Sequence, residues 1–259
     1  MPIKLTPINI NPLIHGYTWE ITNEQMLAEQ IARVALGQAR HVEKILNATA
    51  GATPVLIDGA LSAAAAMLTV APGADPWHRD GWMFQIMSWV AAHKAGKMSL
   101  INTPQMILAQ KGFDGLEIQF NSDGSINAAI IFEDKATDKP RETIRKLVWP
   151  EFVEYESGRE ANLLVSEVTS LLEKRHGIDV DDVIRKVIWK DARSFRVSIT
   201  AGKSHQTDKG RNRLFKDYDK TIPGNVSRRR GETLYVKDLR SWMDGIANKA
   251  LAYITTLKV

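Results

Sequence analysis

The dipeptide Asp123-Gly124 constrains the fold of this chain more than any other short feature. Both residues tolerate the positive φ angles of the tight turns that join antiparallel strands, and strand-like segments flank them. With this dipeptide at the turn, residues 112–135 form a β-hairpin. Asp114 then faces Glu133 across the ladder on one face of the sheet, and Lys135 lies diagonally from Asp114.

The end of the second strand is unusually charged. The strand is apolar from Ala128 to Phe132 and then ends in Glu133, Asp134 and Lys135. Opposed carboxylates cost roughly 0.2–1 kcal/mol in a sheet, and charges at the end of a buried strand need a cation or a solvated cleft. Carboxylate oxygens suit Mg²⁺ or Mn²⁺, so we expect a metal site there, with the backbone carbonyl of Asp134 as a further ligand.

The same residues carry a resemblance. Asp114, eighteen residues, and then Glu133-Asp134-Lys135 at the end of an apolar strand resembles the Asp…Glu-x-Lys core of the PD-(D/E)XK nuclease superfamily. That superfamily includes restriction endonucleases, junction resolvases and nuclease subunits of bacterial anti-phage defence systems. The resemblance covers residues 76–155 and implies that Asp114 and Glu133 bind Mg²⁺ or Mn²⁺, while Lys135 serves the attacking water.

Many members of this superfamily carry a Glu on the helix before the hairpin. Gln85 is the nearest match here and is the fourth candidate catalytic residue, although an amide carries no charge and argues for one metal rather than two. Two simpler interpretations stay open. Gln85 would also suit a core amide bonded to backbone, and Asp114, Glu133 and Lys135 would also suit an ordinary charge cluster at a strand end.

Positive charge is concentrated downstream of the hairpin. Residues 201–230 hold nine Lys or Arg against three Asp, in a chain whose formal net charge is +4. Such a segment indicates a polyanionic partner, and we expect nucleic acid, with DNA favoured over RNA. The candidate phosphate-binding residues are Arg141, Arg145, Lys203, His205, Lys209, Arg211 and Arg213.

Each basic candidate has a second interpretation. Arg141 and Arg145 also suit the solvated face of a helix, and His205 suits an exposed loop. The run Arg228-Arg229-Arg230 fits a second phosphate contact or a solvated turn equally well. Gly202-Lys203-Ser204 lacks the first glycine of a phosphate-binding loop at the required spacing, so an NTPase is not expected. We therefore expect a separate partner, such as an ATPase, a helicase or a sensor subunit.

The order of predicted elements favours an α/β fold. Helices are predicted at 22–47 and 76–95, strands at 193–200 and 233–236, and a C-terminal helix at 238–257. Trp149-Pro150 is expected to end the helix that follows the hairpin. We expect a single domain with a small mixed central β-sheet flanked by helices, like a restriction-endonuclease core.

Two parts of this domain are expected to differ in structure. Residues 1–75 form a helical N-terminal region packed on the core, although residues 1–21 suggest an irregular arm or a short edge strand. Residues 76–259 form the nuclease-like core with its basic C-terminal segment, and the two parts are one continuous domain.

These expectations define a function and its alternatives. The leading hypothesis is a Mg²⁺-dependent nuclease, an effector of an anti-phage defence or restriction system. The alternatives are a non-catalytic nucleic-acid-binding or assembly subunit on the same fold, and a metal-dependent enzyme that acts on a small phosphorylated substrate. The sequence contains no cysteine and no long apolar segment, so we expect a cytoplasmic protein with no membrane partner.

Overall fold

Seven strands form one mixed sheet in the computed structural model, which describes residues 1–56, 59–96, 99–106, 112–173, 180–188 and 192–257. The strands are β1 (Ile3–Ile10), β2 (Ile14–Ile21), β3 (Ser99–Ile101), β4 (Gly115–Phe120), β5 (Ile126–Lys135), β6 (Arg193–Ala201) and β7 (Arg229–Tyr235). Their order across the sheet is β1-β2-β7-β6-β5-β4-β3. The predicted α/β class and mixed sheet are confirmed, and the sheet is larger than expected.

The four middle strands β2, β7, β6 and β5 run parallel, while β1, β4 and β3 add antiparallel pairs at the two edges. The carboxyl ends of the middle strands therefore meet along one edge of the sheet. In open α/β sheets this edge is where ligands bind. Lys135 ends β5 there, beside Ile199 of β6.

Helices cover both faces of the sheet, and a separate apolar core fills each interface. One core packs against the N-terminal helices, the long helix before the hairpin and the C-terminal helix. The other core packs against the helices that follow the hairpin. The helices are α1 (Glu24–Ala35), α2 (Ala39–Leu46), α3 (Ala60–Leu68), α4 (Trp77–Ala95), α5 (Pro140–Thr143), α6 (Trp149–Ser157), α7 (Ala161–Leu172), α8 (Val180–Ile188), α9 (Asp208–Leu214), α10 (Tyr218–Thr221) and α11 (Leu239–Thr256). No helix in the described part of the chain is long and apolar enough to cross a membrane.

The N-terminal region is not helical throughout, and the edge strand suggested within residues 1–21 is present as β1. Residues 1–21 form the paired strands β1 and β2, and β2 joins the sheet beside β7. Helices begin only at Glu24, where the Asn23 side chain caps α1 by accepting a hydrogen bond from the Met26 N–H at 2.8 Å. The helix predicted at 22–47 is divided into α1 and α2 at Gly37, whose φ is +76°. A positive φ ends helices at glycine, because glycine has no Cβ to clash.

The predicted hairpin register is confirmed from Gly115 to Gln119. Gly115 lies opposite Phe132, and Gln119 lies opposite Ala128. A β-bulge follows at Phe120, so the extra residue is absorbed at the turn and not at the charged end of the hairpin. Gly124 adopts the expected positive φ, +84°.

The helix after the hairpin does not end at Pro150. A π-helical turn at Ile144–Val148 joins α5 to α6, which begins at Trp149 and has Pro150 in its first turn. Proline is tolerated in a first turn, where its missing N–H is not needed. The helical segment thus continues past Pro150 and carries Glu151, which the sequence analysis did not select, toward the carboxyl end of β5.

The half-buried His93 side chain leads us to expect a loss of stability in acid. Burial lowers its pKa from 6.5 to about 4, so between these pH values the unfolded chain binds more protons than the folded chain. The free energy of unfolding should fall as the pH drops from 6.5 to 4, by roughly 3 kcal/mol from this residue. Urea denaturation across this range checks the effect. The His93→Gln variant should lose that much less than the wild type, and equal losses would contradict the assignment.

Candidate active site

Asp114 lies one residue before β4 and joins the two faces of the sheet. Its N–H donates to the Phe132 carbonyl at 3.0 Å. Its Oδ2 accepts from the Asp134 N–H at 2.7 Å and lies 3.3 Å from Lys135 Nζ, while Oδ1 accepts from Gln85 Nε2 at 2.6 Å. One carboxylate therefore connects helix α4 with the end of β5.

Lys135 is surrounded by carboxylates. Its Nζ lies 2.7 Å from Glu133, 3.3 Å from Asp114 and 3.9 Å from Glu151. Burial works against the charge of Lys135, but these carboxylates outweigh it and raise the pKa of Lys135 well above its usual value. The ammonium therefore stays protonated at neutral pH.

Glu133 is the most enclosed member of this group, with a side chain only 1% exposed. Burial raises the pKa of Glu133 well above its usual value, although Lys135 acts in the opposite direction and Asp114 and Glu151 add to the rise. A carboxyl group at this position ionises only with help from a nearby cation. Lys135 provides that cation in this structure.

Asp134 points its side chain to the opposite face of the sheet from Glu133, where it accepts a hydrogen bond from Ser88 Oγ of α4 at 2.6 Å. Burial raises the pKa of Asp134 to about 7, opposed by the nearby Arg196. Its N–H points toward Asp114, and the carbonyl of a strand residue points to the same side as its N–H. The Asp134 carbonyl is thus directed toward Asp114, one of the two side chains predicted to bind a metal.

Among the described residues, this group offers a hard divalent ion few protein ligands. Glu133 Oε1 is buried and has no hydrogen-bond partner among the residues that the structure describes, which leaves one carboxylate oxygen without a neighbour to satisfy it. In the same described ranges, no three His, Asp or Glu side chains are grouped to hold an ion together. Asp114, Glu133 and the Asp134 carbonyl would hold Mg²⁺ or Mn²⁺, whose remaining ligands are waters or phosphate oxygens.

A cavity of about 360 Å³ reaches Asp114 and Lys135 of this group, whereas the Glu133 side chain lies behind them and is not among the lining residues that the structure describes. The cavity is lined by Gln85, Asp114, Lys135 and Glu151, together with residues of α4, α5 and α11. Gln85 is therefore not a core amide bonded to backbone, as the simpler interpretation held. It lies in the cavity wall and orients Asp114 through its hydrogen bond.

Two of the seven candidate phosphate-binding residues are committed to the fold. Arg141 donates to the carbonyls of Leu214 and Lys216, at 3.2 Å and 2.9 Å. Arg211 donates to the Gln206 carbonyl at 2.6 Å and pairs with Asp208, and its side chain is 11% exposed. Both guanidinium groups bind backbone carbonyls at or next to the ends of α9.

Other candidates stay available to solvent. Arg145 lies exposed on the π-helical turn, and Lys203, Lys209 and Arg213 are exposed on the segment that leaves β6. His205 is half-buried and lines a second cavity of about 490 Å³ with Arg211. None of these candidates lines the cavity at Asp114, as far as the described residues show, so the structure does not bring them together with the carboxylates.

The run Arg228-Arg229-Arg230 is neither a solvated turn nor a free phosphate contact. Arg228 pairs with Glu156 at 2.9 Å, and Arg230 lies 3.3 Å from Glu117. Arg229 is 2% exposed and donates to the carbonyls of Pro12, Leu13, Ile222 and Gly224. These three side chains tie distant segments together.

Glu151 is the member of the group that sequence analysis missed. Its signal was present, since it lies two residues after Trp149 in a helix that follows the motif, but Pro150 suggested that the helix had ended.

No family model matches the chain. A search of curated proteins likewise found no relative.

Proposed function

We propose that this chain is a metal-dependent nuclease of the PD-(D/E)XK kind that hydrolyses phosphodiester bonds of nucleic acid, with DNA favoured. The observation that carries the proposal is the convergence of Asp114, Glu133 and Lys135 at the carboxyl end of β5, within 3.3 Å of the lysine Nζ. An ordinary surface charge cluster would be exposed, whereas the Glu133 side chain is 1% exposed and has a buried oxygen with no partner among the described residues.

The chain's own residues would take distinct roles. Asp114 and Glu133 would hold the ion, and Gln85 would orient Asp114. Lys135 is protonated, so it would donate hydrogen bonds to the attacking water or to the developing negative charge and would not accept a proton. When bound, Mg²⁺ would polarise a phosphoryl oxygen and lower the pKa of a bound water.

Contacts to phosphate would come from the exposed cations outside the cavity, namely Arg145, Lys203, Lys209 and Arg213. Backbone contacts of this kind make binding strongly dependent on salt and independent of sequence. We place the enzyme as an effector of an anti-phage defence or restriction system, with an ATPase, helicase or sensor subunit as its partner.

The direct test is cleavage of plasmid DNA and of labelled DNA and RNA oligonucleotides by the purified chain. Mg²⁺ or Mn²⁺ should support cleavage and EDTA should stop it. A crystal soaked in Mn²⁺ should show density for the ion between Asp114 and Glu133. Density elsewhere, or none at saturating Mn²⁺, would mean that the group is an ion-pair cluster. Salt-sensitive binding without cleavage under either metal would favour the non-catalytic alternative.

A further inference from the structure

One face of helix α4 forms a wall of the catalytic cavity. Trp77, Gly81 and Gln85 follow one another at intervals of four residues, so they lie on the same side of the helix, and all three line the cavity with His78. The helical rise separates Trp77 from Gln85 by about 12 Å along the axis. The wall therefore leads from an outer rim at Trp77 to the residue that binds Asp114.

The rim of this cavity is apolar and open to solvent. Trp77 is 58% exposed, and Leu147, which also lines the cavity, is 53% exposed. The Trp77 ring lies 4.2 Å from the His78 ring, with 30° between their planes. Single exposed apolar side chains are common, but a tryptophan, a histidine ring and a leucine around one cavity mark a binding surface.

Gly81 keeps the wall between the rim and the catalytic group open. A glycine inside a helix costs about 1 kcal/mol relative to alanine. Packing does not require one here, because a Cβ at this position would meet no heavy atom within 4 Å among the described residues. The missing side chain leaves space on the cavity side.

The charge around the cavity disfavours phosphate as the main anchor close to the site. Asp114, Asp134 and Glu151 line the cavity. The Lys and Arg side chains that line it are already paired: Lys135 with Glu133 and Asp114, and Arg240 with Asp80 at 2.6 Å and with Asp138 at 3.2 Å. A nucleic acid strand would need attraction that does not depend on charge to stay near these carboxylates. Stacking of a base on an aromatic ring provides it, and it tolerates any base.

We propose that Trp77, with His78 behind it, is a stacking platform for an unpaired base, and that the preferred substrate is single-stranded nucleic acid or a single-stranded end. The proposal rests on the proposed nuclease function, since it places the platform along α4 from the scissile phosphodiester at Asp114. Base pairs inside a duplex are stacked on both faces and cannot offer a face to Trp77.

The test measures binding of a fluorescent single-stranded oligonucleotide by fluorescence anisotropy. EDTA is present, so that no metal-dependent cleavage occurs. Trp77→Ala should weaken binding roughly 5- to 150-fold, the range that stacking of one base supports. Trp77→Phe should retain most of the affinity, and Trp77→Leu should lose about as much as Trp77→Ala. An oligonucleotide with abasic sites should bind the wild type and Trp77→Ala equally. Met26→Ala, which removes an exposed apolar side chain outside the cavity, is the matched control and should change nothing.

Gly81→Leu tests independently whether the bound strand lies along the α4 wall between Trp77 and Gln85. It should raise or maintain the melting temperature, because leucine favours the helix, and should weaken binding of the oligonucleotide by filling the cavity wall. Unchanged affinity in Trp77→Ala would overturn the platform and assign the apolar rim to contact with a protein partner. Equal weakening for the abasic oligonucleotide, or equal dependence on Trp77 with a covalently closed duplex that has no ends, would overturn it as well.

The two proposals fail in different ways. Metal-dependent cleavage by the wild type together with normal binding by Trp77→Ala would reject the platform and leave the nuclease. Binding that depends on Trp77 without cleavage under Mg²⁺ or Mn²⁺ would reject the nuclease and leave a protein that binds single strands.

Discussion

Glu133→Gln is expected to reduce metal-dependent cleavage by at least about a thousandfold, because it removes one of two carboxylates that would hold the ion. The change keeps the volume of the side chain and removes a charge that burial already disfavours. The folded structure should therefore persist, with a melting temperature close to that of the wild type. Rates of cleavage in Mn²⁺ and thermal melts of the same preparations check both parts.

Lys135→Ala should cause a loss of similar size for a different reason. It leaves the carboxylates in place but removes the cation that lies 2.7 Å from Glu133. Mn²⁺ should still raise the melting temperature of this variant, since ion binding stabilises the folded state, whereas Glu133→Gln should show a much smaller rise. Glu154→Gln is the matched control, since Glu154 is a glutamate on α6 that pairs with Arg159 and is not among the residues that line the cavity at Asp114. Cleavage at the wild-type rate in both active-site variants would refute the site.

The largest expected effect on stability comes from a buried ion pair between β6 and β7, on the face of the sheet that packs against α4. Arg196 and Glu232 lie 2.8 Å apart, with side chains 0% and 2% exposed. The Trp19 indole N–H donates to the same Glu232 oxygen, and the Arg196 guanidinium lies 4.4 Å from the centre of the Phe132 ring. Burial works against the charge of Arg196, but Glu232 and Asp134 outweigh it and raise the pKa of Arg196.

Arg196→Met should lower the free energy of unfolding by about 3–5 kcal/mol, because it leaves Glu232 buried without its counter-charge. The double variant Arg196→Met/Glu232→Leu should recover most of that loss, since no charge then remains buried in the pair. Urea denaturation of the wild type, both single variants and the double variant measures the coupling. Lys4→Met, which breaks a pair with side chains 63% and 65% exposed, should cost less than about 1 kcal/mol. Strictly additive losses in the double variant would contradict the account.

Local features of the sequence predicted the hairpin correctly. The turn at Asp123-Gly124 and the period of two along the strands fix which residues share a face, and both act over a few residues. Glu133, Asp134 and Lys135 end the strand as expected, but the described ladder ends at Gly115 and Phe132 and does not include the predicted pair of Asp114 and Glu133. Asp114 instead donates its N–H to the Phe132 carbonyl and approaches Lys135 through its side chain. The turn could absorb a bulge at Phe120 without changing the pairing of Gly115 to Gln119 with β5.

The N-terminal strands and the length of the helix after the hairpin were harder to predict. β2 is stabilised by pairing with β7, which lies more than two hundred residues later, as the pair His15 and Arg230 shows. The signals in residues 1–21 are weak without that partner. At Pro150 the local rule for the residue before proline favoured a break, and a π-helical turn allowed the helix to continue.

The sequence by itself determined the hairpin, its register and the charges at the end of β5, because turn geometry and strand alternation are properties of neighbouring residues. Only the tertiary structure decided which polar groups serve the site and which serve the fold. Arg229 donates to the carbonyl of Pro12, 217 residues away. Gln85 of α4 binds Asp114, and Glu151 of α6 lies 3.9 Å from Lys135. A side chain's partners depend on which distant segments the sheet brings within about 3 Å, and no local pattern encodes that distance.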